Sequence, residues 1–168
     1  MPCTMYQASA PLFVNTLNNL SGILDKAQAH ADAKKIDPKV LTAYRLAPDM
    51  FALARQVQVA CDTAKGACAR LAGVEIPKHE DTEQTFAELK ERIAKTIEFI
   101  GTLKPAQIDG TEDKQIVLKV GGQDRTFTGM QYLLGHAHPN FYFHVTTAYN
   151  ILRHAGVEIG KRDLIGTP

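Results

Sequence analysis

The sequence predicts an all-α protein, a four-helix bundle with a small β-hairpin inserted between its third and fourth helices. Four long stretches repeat apolar residues at steps of three and four, the spacing of a helix with one buried face. One short stretch switches to a period of two around a Gly-Gly turn. The long connection that holds this hairpin precedes the last helix, a connectivity that helical bundles use.

The first helix runs to about Ala33, with Phe13, Leu17, Leu20, Leu24 and Ala27 on its inner face. Pro11 means that it begins close to Ser9 or is kinked there. Asn15, Asn18 and Asn19 are weak helix formers. They are expected to be exposed or to bond to a neighbouring loop. Asp37-Pro38 restarts the chain as a short helix, Asp37 capping and Pro38 first.

The second long helix is expected from about Pro48 to Leu71, stopped by Gly73. Its inner face is Phe51 (or Met50), Ala54, Val57, Cys61 (or Ala60), Ala64, Cys68 (or Ala67) and Leu71. Its many alanines suit close approach to a partner helix. Thr85-x-x-Glu88 is a capping box for the third helix, which runs to Ile100 and ends at Gly101. Phe86, Leu89, Ile93, Ile97 and Ile100 form its stripe. Glu88 with Arg92, and Glu91 with Lys95, read as pairs on its outer face.

Thr102 to Lys114 reads as a polar linker. Gln115 to Thr128 reads as the hairpin, with Ile116, Leu118 and Val120 alternating before Gly121-Gly122. Gly129 to His138 leads back to the fourth helix. Pro139 suits its first position and Gly156 the left-handed residue that ends it. Phe141, Val145, Ala148, Leu152 and Ala155 make its apolar stripe. Tyr142, Phe143 and Tyr149 are aromatics expected in the core or at an interface.

At 168 residues, a single domain over 1–168 with one core is expected. Nineteen basic and eighteen acidic residues leave a formal charge of +1, which offers no electrostatic footprint for nucleic acid or an anionic membrane. No apolar run is long enough to span a bilayer. Met1-Pro2-Cys3-Thr4 has no basic segment leading into an apolar one, so no signal peptide is read and a cytoplasmic location is expected. Cys3, Cys61 and Cys68 lack metal-site spacing; the last two read as small buried hydrophobes, not reactive thiols.

Chemistry narrows to the histidines. Asn140 and His144 are four apart and share one side of the last helix. His144 reads as a packed histidine bonded to Asn140, Gln58 or a backbone carbonyl, with a metal ligand as the alternative. His136 and His138 read as cap or solvated residues of the connection. His30, His79 and His154 read as surface residues. Nucleophilic triads, phosphate loops and paired catalytic carboxylates are not visible in the sequence.

The string from His144 through Leu152-Arg153-His154-Ala155-Gly156-Val157 resembles the last helix of the DinB/YfiT-like proteins. In these a His, a second His four residues on and Leu-Arg-x-x-Gly often occur. Pro139-Asn140-Phe141-Tyr142-Phe143-His144 through Gly160-Lys161-Arg162-Asp163 resembles a narrower branch, a bacterial and fungal family of unknown function. The likeness extends from about Tyr6 to about Gly166. It implies, for the metalloprotein members, a zinc or nickel site of three histidines, one from the second helix and two from the fourth. His144 matches the second of the fourth-helix pair, and Asn140 stands in the place of the first. The second helix has no histidine. Gln58, or Gln56 in the alternative register, is the polar residue nearest the expected place. Amides are poor ligands for those ions.

The expectation is therefore a degenerate metal site: Gln58, Asn140 and His144 converging on a small polar pocket for a small molecule, with no bound cofactor. Two other readings stand beside it. One is a metal-dependent transferase or hydrolase of the DinB/YfiT type, with or without a thiol co-substrate, with zinc or nickel on His144. The other is a homodimeric interaction module, its faces on the alanine-rich second helix and the aromatic fourth.

Overall fold

Four long helices carry the fold: α1 (Ala10–Lys34), α3 (Leu53–Ala72), α4 (Phe86–Thr102) and α7 (His138–His154). The computed structural model describes residues 3–166. Met1, Pro2, Thr167 and Pro168, the ends of the expected domain, lie outside the described residues. Between the long helices come α2 (Pro38–Thr42), α5 (Pro105–Ile108), the strands β1 (Ile116–Val120) and β2 (Gln123–Phe127), and α6 (Gly129–Tyr132). A last short helix, α8 (Lys161–Ile165), lies against α1.

Packing follows from the apolar stripes. Phe13, Leu17, Leu20, Leu24 and Ala27 of α1 are fully buried, as are Ala148 and Leu152 of α7. α3 packs against both α7 and α4, and α1 against α4 and α7. The small residues Ala60, Cys61, Ala64, Gly66, Ala67 and Cys68 are buried in α3. That is what lets neighbouring axes come close to it. Buried residues of all four helices, with α5, α6 and β1, form one cluster.

Several expected local devices are present. Asp37 accepts from the Lys39 N–H at the start of α2. Thr85 and Glu88 make the reciprocal capping box of α4. Asn19 reaches across to the Leu164 carbonyl, in the helix α8 and not in a loop as expected of that polar run. In the hairpin Ile116 pairs with Phe127 and Val120 with Gln123. Gly121 and Gly122 have φ of 59° and 82°, the two positive values that a primed two-residue turn needs. At the end of α7 the Val157 N–H returns to the Leu152 carbonyl around Gly156, at φ 90°.

Other boundaries differ. α3 begins at Leu53, not near Pro48, because the chain first turns, with the Met50 N–H on the Ala47 carbonyl, and Ala52 is extended, the Leu53 N–H bonding the Tyr44 carbonyl. Phe51 is therefore about half exposed (49%) instead of lining the inner face. α4 runs through Gly101 to Thr102 and stops where Leu103 turns extended before Pro105. The linker after it contains α5. The largest difference lies before α7. Residues 129–137, expected as a connection, are helical, and Leu133–Ala137 form a wide π turn closed by the His138 N–H on the Leu133 carbonyl. Pro139 cannot donate to the turn before it. A widened turn at that point lets one helical rod carry a proline that would otherwise end it.

Gly129 sits where α6 meets the chain of the preceding loop. A Cβ there would lie 1.9 Å from the Thr111 carbonyl oxygen, while the Met130 N–H bonds the Glu112 carbonyl. Both partners are backbone, so neither yields without moving the loop. Gly129→Ala is expected to lower the stability by about 1–3 kcal/mol, the cost typical of overpacking, measured as a fall in the urea midpoint. Unchanged stability would mean that the loop does not hold α6 this closely.

Candidate functional site

His144 projects from α7 toward the first turn of α3, and its Nδ1 lies 2.7 Å from Gln56 Oε1. Gln56 is 1% exposed, and its Nε2 donates to the Phe51 carbonyl at 3.1 Å. A carbonyl only accepts, so this bond sets which end of the amide faces which way. Oε1 must face His144, and the proton must sit on Nδ1. The imidazole Nε2 then carries the lone pair. Burial, with the Arg55 charge nearby, lowers the His144 pKa from its ordinary value and keeps the ring neutral at pH 7. The Phe51 ring stacks over it at 6.4 Å, and Arg55 lies 5.8 Å from the centre of that ring.

Of the residues singled out in the sequence, the structure brings His144 together with Gln56 and not with Gln58. Residues 56 and 58 differ by about 200° around a helix, so only one of them can face α7. Gln58 faces the opposite side, where its Nε2 donates to Glu83 at 2.9 Å and its Oε1 accepts from Arg55 at 3.3 Å. There it lines a separate cavity of about 320 Å3 with Thr42 and Glu83. Asn140 shares the His144 side of α7, but its amide donates at 2.6 Å to the His136 carbonyl in the π turn of its own helix.

The donor set does not match three imidazoles. Gln56 Oε1 already accepts from His144 and the Asn140 amide is committed to its own backbone. Among the described residues no group of three or more His, Cys, Asp or Glu side chains is placed to hold a metal ion. His138 neither caps nor stands in solvent. Its Nε2–H donates to the Ala8 carbonyl at 2.8 Å, and its ring lies 5.0 Å from Phe13 and 5.7 Å from Tyr142. His136 packs on Phe127 and Tyr132. The Cys61 and Cys68 thiols are pushed up to about 12 by burial, so neither is a nucleophile at neutral pH.

The strongest polar centre was not visible as such in the sequence. Arg92 is 2% exposed, although it reads as an outer-face partner of Glu88. Glu88 instead caps α4 through the Gln84 and Thr85 N–H groups. The Arg92 guanidinium donates to Asp62 and Asp81 at 3.0 Å, to Glu83 at 3.1 Å and to the Glu80 carbonyl at 2.9 Å. Lys65, 3% exposed, shares Asp62, and Arg55 shares Asp81. Burial opposes the Arg92 charge, but the Glu83 bond and the Asp62 charge outweigh it and hold its pKa above the ordinary value. Two sequence signals point this way: Leu89, Arg92 and Thr96 share one helical face, and Glu80-Asp81-x-Glu83 is an acidic run in need of countercharge.

A family model described as a domain of unknown function, DUF1993, matches residues 5–165. The chain belongs to the DUF1993 family. A crystal structure of a DinB family member from Shewanella denitrificans, solved at 1.83 Å, superposes on this DUF1993 chain with a TM-score of 0.91. The two are 46% identical over 97% of this chain and 92% of the other, which makes this a DinB-like protein. No curated protein matches it. No described helix is long and apolar enough to cross a membrane.

Burial lowers the pKa of His79, His136, His138 and His144 alike. An unfolded histidine titrates at about 6.5. Below that pH the unfolded chain binds more protons than the folded one, so stability is full above it and falls as pH drops toward the folded values. Chemical denaturation between pH 7 and pH 5 should show this loss, with a shallower slope in His144→Gln. An identical slope in that variant would show that His144 titrates normally.

Proposed function

We propose that this chain, a single-domain four-helix bundle with an inserted hairpin, binds a small polar molecule beside His144 at a degenerate metal site. The observation that supports this most is the Phe51–Gln56–His144 relay. It spends one imidazole nitrogen on the protein and leaves Nε2 as a fixed acceptor, while amides stand at the other two expected ligand places. A ligand with an O–H or N–H donor suits such a site without an ion. In this reading the residues are Gln56 and His144 at the ring, with Asn140 beside them on α7 and Gln58 in the neighbouring cavity.

A neutral histidine with its Nδ1–H held by an amide oxygen is also how a protein presents a metal ligand. That keeps the metal-dependent transferase or hydrolase as the second reading. Elemental analysis of untagged protein separates the two, with only trace zinc and nickel expected. His144→Ala should cost about 1–3 kcal/mol in urea unfolding, by leaving Gln56 unpaired. Stoichiometric zinc or nickel that disappears in His144→Ala would overturn the proposal in favour of the enzyme reading.

We also propose a homodimer, the commonest symmetric assembly. The alanines of α3 are used up in the core, so the face left for it is the aromatic side of α7. Tyr142 and Phe143 are 40% and 55% exposed there, and Leu134 in the π turn is 54% exposed. Light scattering should give twice the chain mass, reduced to a monomer by Phe143→Glu. A monomer at high protein concentration would refute this.

A further inference from the structure

Beside the Arg92 cluster, away from His144, lies a cavity of about 330 Å3 between α4 and the segment that precedes it. Arg92 lines it. The two terminal nitrogens of the guanidinium are saturated by Asp62, Asp81, Glu83 and the Glu80 carbonyl, but its Nε–H is buried with no partner. His79 lines the same cavity, and its Nδ1 is likewise buried and unpaired. Native interiors rarely leave such groups without partners, and two at one cavity point to something that binds there. Burial and the charges of Lys65 and Arg92 keep the His79 ring neutral, so its Nδ1 is free to accept a hydrogen bond.

The chemistry of the walls selects the ligand. An anion is disfavoured, because three carboxylates already crowd the Arg92 guanidinium. A cation is disfavoured by the obligate Nε–H donor. A neutral hydroxyl does what neither can: it accepts from Arg92 Nε–H and donates to His79 Nδ1. At the rim Lys78 and Thr82 add donors, while Glu80 and Glu91 add acceptors, the mixture that several hydroxyls on one molecule satisfy. We propose that this cavity binds a neutral, hydroxyl-rich small molecule of the polyol or monosaccharide class, one hydroxyl bridging Arg92 Nε and His79 Nδ1.

The test is a titration of the full-length 15N-labelled protein, followed at the arginine Nε–H and histidine ring resonances. Ribose, myo-inositol and inorganic phosphate are added separately. Ribose or myo-inositol is expected to shift the Arg92 Nε–H and His79 signals saturably and to leave the His144 ring unmoved. His79→Ala should weaken that binding at least tenfold while keeping the helical circular dichroism. Thr82→Val, at the rim, is the second variant should His79→Ala fail to fold, and it should weaken binding by a smaller factor. No saturable shift with either polyol would overturn the proposal, leaving ordered water as the partner of both nitrogens. So would saturation by phosphate alone, or polyol binding that is unchanged in His79→Ala or, where that variant does not fold, in Thr82→Val. Because His144 is monitored in the same spectra, this outcome is independent of the pocket proposed there.

Discussion

A guanidinium cannot be buried alone. Removing it from water costs several kcal/mol, and the protein recovers this only through close, well-aligned carboxylates. Arg92 meets that demand with groups from two other parts of the chain: Asp62 on α3, and Asp81, Glu83 and the Glu80 carbonyl on the segment before α4. The contact therefore does more than pair charges. It fixes α4 against α3, and it holds an otherwise irregular segment against both. Lys65 and Arg55 supply the second countercharge to Asp62 and Asp81, so the acidic groups are satisfied in turn. Such a centre is a specificity device more than a source of stability, because only one arrangement of α3, α4 and the segment satisfies every member.

α3 is the element on which both polar sites depend. Its small apolar positions face the core, and its polar ones leave on two opposite sides. Gln56 reaches α7 and His144; Gln58, Asp62 and Lys65 reach the Arg92 cluster. Arg55 lies between, over the Phe51 ring and bonded to Gln58 and Asp81. The two sites are thus joined by one helix turn, and a two-residue change of register would exchange their amides.

That geometry explains what could be read in advance. The apolar stripes of α1, α4 and α7, the capping boxes and the Gly-Gly turn depend on local spacing, which a sequence carries directly. The register of α3 does not. Its buried face is wide and includes both Gln56 and Gln58, so spacing alone does not choose between them, and the sequence reads Gln58 first with Gln56 as the alternative register. The sequence reads the start of α3 too early because a turn at Ala47–Met50 and a Tyr44–Leu53 bond leave no local signature. The π turn escaped for a related reason: Pro139 reads as a helix start unless the widened turn before it is known. Arg92 reads as an outer-face residue because an i,i+4 pair with Glu88 is the nearest local partner, and its partners in the fold are up to thirty residues away. Local rules account for elements; the sites are made where elements meet.

The chemistry left at His144 differs in kind from that of a three-histidine centre. In such a centre each imidazole spends one nitrogen on the ion and the other on an orienting partner. Here the orienting partner of His144 is the Gln56 amide, the place that the proposed reading assigns to a lost ligand. The Phe51 carbonyl fixes that amide, and the amide fixes the tautomer of the ring. Each step is a hydrogen bond whose direction is forced by a group that can only accept or only donate. The result is one neutral acceptor held in a defined direction under an aromatic cover. The relay engages Nδ1 alone, so Nε2 is the atom open to a partner, and a small molecule with one well-placed O–H or N–H would meet it without rearrangement. On the proposed reading, the amides beside His144 serve as a support for a single base.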